Sequence, residues 1–366
     1  MNPALVVKLP PAGPWRSGPD SGARNRVDPI YHSDSLYAAV TAALSTLGLR
    51  EEWLDATARH PESPAVRFSS CFPFLGELGF VVPPRSLWPP MGGAPLSAGK
   101  VRWKSARFVP LPLIASLLEG QPLHEDQWTV DGASECLLPA GRPGPFRASL
   151  RSNAAVDRLT GSAERHATAA LEFRPGAGLW AVISFVDEEQ RGRWSEPVRG
   201  ALRLLADSGF GGERSRGWGR CAEPEFVEGT LPGMILPPPQ APPPAPPPAG
   251  DGVTELAPPG TSDAALPREP AAAAHWLLSL FTPGPDDAVD WAQGNYTVVA
   301  RGGRVESSAG FGERKKQLQM VTEGSVLVAG ETIRGAAPDV APDGFAHPVF
   351  RAGFALSIPL PGTVPA

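Results

Sequence analysis

Cysteine is scarce in this chain: Cys71, Cys136 and Cys221 are the only three in 366 residues, and none stands in a C-x-x-C pair. That spacing indicates neither a disulfide framework nor a zinc site, and it fits a reducing compartment. Lysine is scarcer still among the bases, because 28 of the 33 basic residues are Arg. Basic residues do not outnumber the 38 acidic ones, and the net charge is −5. Bulk positive charge therefore does not hold this chain on nucleic acid, although local basic patches remain open to it. No run approaches the ~20 apolar residues of a membrane span. The opening M-N-P-A-L-V-V-K-L lacks the charged-then-apolar layout of a secretory signal, so a cytoplasmic protein is expected. Neither a G-x-x-x-x-G-K-[ST] loop nor a dinucleotide fingerprint is present. No cofactor and no metal site is indicated.

What the chain does have is a glycine- and arginine-rich stretch at Ser208–Arg220, S-G-F-G-G-E-R-S-R-G-W-G-R. Glycine permits positive φ and close approach to the main chain, and successive N–H groups in such a loop can form an anion nest. Arg214, Arg216 and Arg220 add planar forks that suit phosphate. Phe210 and Trp218 could stack on bases or wedge the loop onto its own domain. The stretch follows an amphipathic helix, for which Ser195 is the expected N-cap, Pro197 suits the first turn, and Val198, Ala201, Leu202 and Leu205 make one face. A strand over 221–227 is expected next.

The chain is long enough for two domains, each with its own core. The segment 231–270 contains P-P-P-Q-A-P-P-P-A-P-P-P and reads as a proline-rich spacer. It divides an N-terminal lobe, 1–230, from a C-terminal lobe, 271–366. In the first lobe, strands are expected at 5–9, 68–75, 78–82, 168–173 and 178–186, with an extended segment at 101–109. A helix is expected from Ser33 to Gly48, with Ser33 as N-cap and Asp34 near the positive helix end. Short helices are expected at 51–59 and 110–118. The C-terminal lobe should hold a short helix at 286–291 and strands at 275–281, 296–301, 317–321, 325–328 and 350–358. The order predicts an α+β fold, a ferredoxin-like layout with additions, and a second related lobe.

Several motifs, in order, resemble the RAMP superfamily of CRISPR proteins. They are the glycine-rich loop, the helix start Y-H-S-D-S-L-Y-A-A-V (31–40), the segment R-S-N-A-A-V-D-R-L-T-G (151–161), and in the C-terminal lobe Y-T-V-V-A-R-G-G-R-V (296–305), K-K-Q-L-Q-M-V-T-E-G-S-V-L (315–327) and H-P-V-F-R-A-G-F-A-L (347–356). The H-S-D helix start and the E-G-S segment are similar to the branch that binds the 5′ tag of the guide RNA in type III-A (Csm) complexes, more than to its type III-B counterpart. The resemblance implies two ferredoxin-like (RNA-recognition-motif-like) lobes with a β-hairpin insertion and a glycine-rich loop. It also implies a non-catalytic subunit that grips the tag. Its partners would be the large polymerase-like subunit and the backbone RAMP subunit, with target RNA met only indirectly and no membrane.

The expected RNA contacts are Gly211, Gly212, Arg214, Ser215, Arg216, Gly217, Trp218, Gly219 and Arg220 in the loop. Arg147, Arg151, Asn153 and Arg158 are expected on the hairpin, where Asp157 would pair with an arginine. His32 and Ser33 stand at the helix start, and Arg301 and Arg304 in a second basic cluster with Arg314, Lys315 and Lys316. His347, Phe350 and Phe354 read as core or interface. A competing reading is enzymatic. A neutral histidine suits general-base attack by a 2′-OH, so His32 is the candidate of a metal-independent endoribonuclease that processes repeat RNA.

Overall fold

The computed structural model describes residues 2–19, 22–60, 62–90, 103–236, 273–307 and 310–361. The N-terminal elements are β1 (Asn2–Leu9), α1 (Ser33–Thr46), α2 (Arg50–Ala56), β2 (Val66–Phe68), β3 (Phe72–Leu75), β4 (Leu78–Val81), β5 (Val109–Pro110), α3 (Leu111–Leu118), β6 (Trp128–Val130), β7 (Leu137–Pro139), β8 (Phe146–Val156), β9 (Ala163–Phe173), β10 (Ala177–Phe185), α4 (Glu188–Ser208) and β11 (Glu225–Leu231). The C-terminal elements are β12 (Ala273–Leu277), β13 (Val289–Asn295), β14 (Val298–Arg301), β15 (Arg304–Ser307), β16 (Gly310–Arg314), β17 (Leu318–Val321), β18 (Val326–Ala329), β19 (Gly335–Ala336), β20 (Gly353–Phe354) and β21 (Ser357–Pro359). The fold is mixed, with few helices and many strands.

One sheet runs β11-β1-β10-β3-β4-β5, with β2 also pairing to β10, and its pairings are antiparallel. All nine residues of β10 are buried, as its apolar run, interrupted only by Ser184, demands of a strand covered on both faces. On α1, Leu36, Tyr37, Val40, Ala43 and Leu44 make the buried stripe, spaced for a 3.6-residue period. It packs against α2 and α4. The second sheet runs β13-β18-β12-β21. The strands β8 and β9 form a hairpin of their own, in register from Phe146–Phe173 to Val156–Ala163.

Five expectations are corrected. The helix α4 begins at Glu188, well before Ser195, because Asp187 caps it by accepting from the Gln190 N–H at 2.7 Å. Trp194, buried against Trp53 at 5.2 Å between ring centroids, fixes its early turns, and Pro197 sits inside the helix. Residues 286–291 do not form a helix: Asp287 accepts from the N–H groups of Gly284, Arg334 and Gly335 and organises a turn into β13. Among the described residues the C-terminal lobe has no helix, and so none of them supplies the α-elements expected of a second ferredoxin-like unit. Residues 103–105 form a 3-10 turn rather than extended chain, while 101 and 102 lie outside the described residues. The start of the expected spacer folds back, burying Leu231 and Ile235; residues 237–270 lie outside the described residues.

The cores also fuse. Leu36, Trp53, Val182 and Trp194 belong to one apolar cluster with Trp276, Leu278, Phe354 and Ile358, and a smaller cluster around Leu277, Phe281 and Leu327 lies within the C-terminal lobe. Tyr37 and Phe354 meet edge-to-face at 5.9 Å across the junction, and the Trp276 Nε1–H donates to the Val82 carbonyl at 3.1 Å. The expectation of a separate core for each lobe therefore gives way to a shared one.

Candidate nucleic-acid interface

The glycine-rich loop is held from beneath. Phe210 is buried between Trp15 and Tyr31, with ring centroids 5.7 and 5.2 Å away. Gly211 and Gly219 have φ of 86° and 82°, the left-handed region that favours glycine. A Cβ at Gly211 would meet the Arg16 carbonyl, and one at Gly219 the Phe210 carbonyl. The Gly212 N–H donates to the Arg16 carbonyl at 2.8 Å. These three glycines thus allow close approach to the chain's own backbone. Gly217, with φ of 77° and open space where its Cβ would be, faces outward. Arg214, Ser215 and Arg216 form an exposed 3-10 turn, with Arg216 3.1 Å from Glu213. Arg220 turns back to α4, its Nε donating to the Asp207 carbonyl at 2.6 Å.

Trp218 is only 7% exposed. Of the two roles open to Phe210 and Trp218 the structure fills the wedge, and Trp218 as a base-contacting residue is corrected. Its ring instead receives the Arg151 guanidinium at 5.6 Å, a cation–π contact that joins the loop to the β8–β9 hairpin. Arg147 and Arg151 both donate to Glu172, at 3.0 and 3.2 Å. The hydrogen bond from Ser149, then those from the two arginines, hold the Glu172 carboxyl below its usual range. Asn153 is half-buried and donates to the Arg151 carbonyl at 3.2 Å. Arg158 is exposed on the turn. Asp157 does not pair with an arginine: it accepts from the Leu159 N–H and the Thr160 hydroxyl, both at 2.8 Å, and so shapes the turn.

The loop at 15–26 ties these parts together. Trp15 exchanges backbone hydrogen bonds with Leu171 of β9 at 3.0 and 2.7 Å. The buried Arg16 guanidinium donates to the carbonyls of Ala23, Arg24, Arg26 and Ala169 at 2.7–3.1 Å. Nothing in the sequence signals this role of Arg16, because the four acceptors are main-chain atoms of any residue type.

The helix-start residues do something other than expected. The N-cap position of α1 is His32, and no side chain caps this end. Ser33 is buried; its hydroxyl accepts from the Leu280 N–H at 3.0 Å and its own N–H donates to Ser70. Asp34, 4% exposed, takes Arg301 at 3.0 Å and Arg351 on its other oxygen. Burial pushes its pKa up, but the two arginines outweigh that and hold it at about 2. His32 donates Nδ1–H to Glu323 at 2.7 Å and Nε2–H to Asp28 at 3.1 Å. Burial alone would lower its pKa; the Glu323 charge and the hydrogen bonds to both carboxylates raise it to about 10. Ser70 donates to the same Glu323 oxygen.

His32, Ser33 and Arg301 are therefore corrected as RNA contacts, since each is buried in the junction between the lobes. The general-base reading of His32 fails with them. A base needs a free lone pair near neutral pH, and this imidazole is charged with both nitrogens engaged. Glu323 and Arg351 escaped sequence reasoning, because their partners stand some three hundred positions away.

Beside this junction lies a cleft of about 910 Å³ lined by Asp34, Arg301, Arg304, Arg314, Lys315 and Arg351, with Gly22, Gly302, Gly303 and Phe350 among its other walls. Arg304, exposed, donates to the Gly312 carbonyl. Lys316 pairs outside the cleft with Asp343 at 2.8 Å. Phe354 is core, Phe350 is half-buried, and His347 is exposed. Among the described residues no cluster of metal-binding side chains occurs, and no helix is long and apolar enough to cross a membrane.

A family model for the CRISPR Csm4 C-terminal domain matches residues 271–360. Residues 271–360 are thus similar to a Csm4 C-terminal domain. The whole chain is Csm4-like in fold. It superposes on a chain of a Csm3–Csm4 subcomplex from the type III-A CRISPR-Cas interference complex with a TM-score of 0.58 and 14% identity, covering 97% of this chain and 99% of that one. It superposes on a chain of a Csm1–Csm4 cassette in complex with cA4 with a TM-score of 0.54 and 18% identity, covering 100% and 99%. No curated protein sequence matches it. This Csm4-like fold brings Arg151 of the hairpin onto Trp218 of the loop and leaves Arg214, Ser215, Arg216 and Arg158 exposed. It assigns His32, Ser33 and Arg301 to the junction, and leaves Arg304 on the cleft.

Proposed function

We propose that this chain is the non-catalytic guide-RNA-binding subunit of a cytoplasmic type III-A interference complex in antiviral defence. It grips the repeat-derived 5′ tag and bridges the large polymerase-like subunit to the backbone RAMP subunit. The observation that carries the reading is the end-to-end likeness to Csm4 chains from assemblies with Csm1 and with Csm3, together with the Csm4 domain at 271–360. The N-terminal sheet supports it. Its β11-β1-β10-β3 order is that of a ferredoxin-like unit, the RNA-recognition architecture, with β8–β9 as the inserted hairpin. The division into lobes at 1–230 and 271–366 belongs to the same reading.

RNA would lie on the outward face of the loop, with Gly217, Arg214, Ser215 and Arg216 toward phosphate and Arg147, Arg151, Asn153 and Arg158 along the hairpin. Gly211, Gly212 and Gly219 shape the turn that presents them, and Arg220 braces it. Recognition of this kind uses splayed bases and backbone contacts rather than groove reading.

Affinity purification of the tagged chain from its host, with sequencing of co-purified RNA, tests the proposal. Short RNAs sharing one repeat-derived 5′ end, together with both partner subunits, are expected. Absence of RNA, or unprocessed repeat RNA without partners, overturns it.

A further inference from the structure

The C-terminal lobe carries an exposed aromatic pair that takes no part in the RNA-binding reading. Trp291 and Tyr296 are 38% and 39% exposed, and Val298, two residues on, is 56% exposed. The two rings meet edge-to-face at 5.2 Å between centroids. Among the described residues no other Phe, Tyr or Trp side chain is so exposed. The backbone builds this surface. Asp290 and Asn295 are five positions apart on β13, yet they face Val328 and Val326 of β18, which are two apart. The excess chain bulges from the sheet, and a bulge re-aims the side chains it carries. The Asp290 carboxylate fixes the bulge by accepting from the Ala292 and Gln293 N–H groups at 3.0 and 3.3 Å and from the Gln293 side chain at 2.8 Å. Beyond it, the Asn295 side chain donates to the Arg85 carbonyl at 3.2 Å. Gly294 leaves room for the tyrosine, since a Cβ there would come 3.2 Å from the Tyr296 ring. The rings are therefore held outward by a pinned main chain.

The chemistry of the surface selects its occupant. Residues 291–300 contain no charged side chain, and the residue before them is Asp290. Platforms that stack nucleic-acid bases set their aromatic rings in a positively charged groove, and this one has a carboxylate beside it. A neutral ligand with a preset extended backbone suits it better, and aromatic-lined surfaces take polyproline II helices of that kind. The chain contains such a ligand. Residues 237–248 hold nine prolines in three triplets, and no charged residue occurs from 231 to 250.

The topology puts that tract within reach. Ala273 of β12 and Val289 of β13 both pair with Ala329. The chain therefore re-enters the sheet about 10 Å from Val289, two strand spacings away. The 24 residues 249–272 span about 27 Å as a coil, more than that separation. At its other end the tract follows Leu236, beyond β11, which lies four strands from β4, or about 19 Å. The aromatic surface adjoins the chain just after β4 through Asn295 and Arg85. Twelve residues of polyproline II helix cover about 37 Å.

We infer that the proline tract 237–248 docks as a polyproline II helix on the Trp291–Tyr296 surface of its own chain. Proline has its φ fixed beforehand, so docking costs little conformational freedom. Tethering at both ends holds the tract at about millimolar effective concentration, so that a weak contact suffices. The inference stands apart from the RNA-binding reading and neither uses it nor tests it.

The test is hydroxyl-radical footprinting of the full chain, read by mass spectrometry. Exchanging the nine prolines of the tract for serine keeps its length and neutrality. Labelling of Trp291 and Tyr296 should then rise at least about threefold, as a tethered ligand leaves its site. Leu159, 96% exposed on the β8–β9 turn, should label as before in the same sample. Equal labelling of the two rings in both proteins overturns the proposal. A second measurement leaves the tract intact and so does not depend on the serine variant folding. In Tyr296→p-benzoylphenylalanine, irradiation should join position 296 to residues 237–248 of the same chain, at a yield independent of protein concentration. Cross-links between chains that vanish on dilution would give the surface to a second copy and overturn the proposal. Protection of the rings that arises only on adding single-stranded RNA would give it to nucleic acid and overturn the proposal as well.

Discussion

The Asp34 carboxylate and the Arg301 guanidinium, 267 positions apart in sequence, meet at 3.0 Å in the buried junction between the lobes. Arg351 closes the same carboxylate from its other oxygen. Removing one member of a buried charge network leaves its partners uncompensated, at a cost of about 3–5 kcal/mol. Asp34→Asn is therefore expected to lower the unfolding free energy by that amount and the urea midpoint with it, whereas an exposed change such as Glu196→Gln should leave the midpoint nearly unmoved. Equal midpoints for Asp34→Asn and wild type would show that the triad is not what joins the lobes.

The His32 clasp gives the junction a pH signature. Its pKa is about 10 in the fold against an ordinary 6.5. The stabilisation is thus fully present below about pH 6.5 and is lost as the pH rises through about 10. Asp34, held at about 2 against an ordinary 3.8, stabilises fully above that ordinary value and is lost as the pH falls through about 2. Thermal midpoints across pH should decline on both sides. His32→Gln should flatten the alkaline decline and also change the acid one, because the His32 charge helps to hold Asp28 and Glu323 down; retention of the full alkaline decline in that variant would contradict the clasp.

Gly211 and Gly217 separate two roles for glycine within one loop. Both have positive φ, so alanine at either incurs roughly 1–2 kcal/mol of backbone strain. Only at Gly211 does the added methyl also strike the Arg16 carbonyl. Gly211→Ala is expected to lower the melting temperature clearly more than Gly217→Ala. Comparable melting temperatures would mean that the Arg16 contact yields freely.

Trp218 and Arg151 should couple the loop to the hairpin. A cation–π contact at a partly exposed site contributes about 0.5–1 kcal/mol. Arg151→Ala is expected to speed amide exchange at 147–156 and 163–172, while Arg151→Lys should restore much of the protection. Exchange that is identical in all three proteins would show that the hairpin is held by its own ladder alone.

Arg214→Ala/Arg216→Ala should reduce guide RNA retained on the purified assembly without shifting the melting temperature, since both residues lie on an exposed turn. Full RNA occupancy in that variant would remove the turn from the binding face.

Much of this architecture is legible in the chain because it is local. The apolar stripe of α1 and the glycine-rich loop after α4 each declare themselves within about twenty residues, whereas the hairpin around 151–161 is expected only from its resemblance to a family segment. The start of α4 was misread because Pro197 looks like a first-turn proline, whereas the Asp187 cap and the buried Trp194 precede it. The roles of His32, Ser33 and Asp34 were hidden for a different reason. A serine and an aspartate at a helix start read as capping residues, and a histidine there as an RNA contact or a general base; their true partners, Glu323, Leu280, Arg301 and Arg351, come from beyond the proline-rich segment. Spacing rules do not reach that far.

Arg16 uses its guanidinium to bind four carbonyls of its own loop and strand β9, and its own carbonyl to receive Gly212. One residue thus sets the height of the glycine turn relative to the hairpin and, through the loop ending at Arg26, the position of one bank of the cleft. The glycine turn and the hairpin share a single gauge, and neither is free to be retuned without the other. Variation in sequence at this face should therefore arise at the exposed ends of side chains, in the choice of Arg214 or Arg158, while the spacing between the regions is kept.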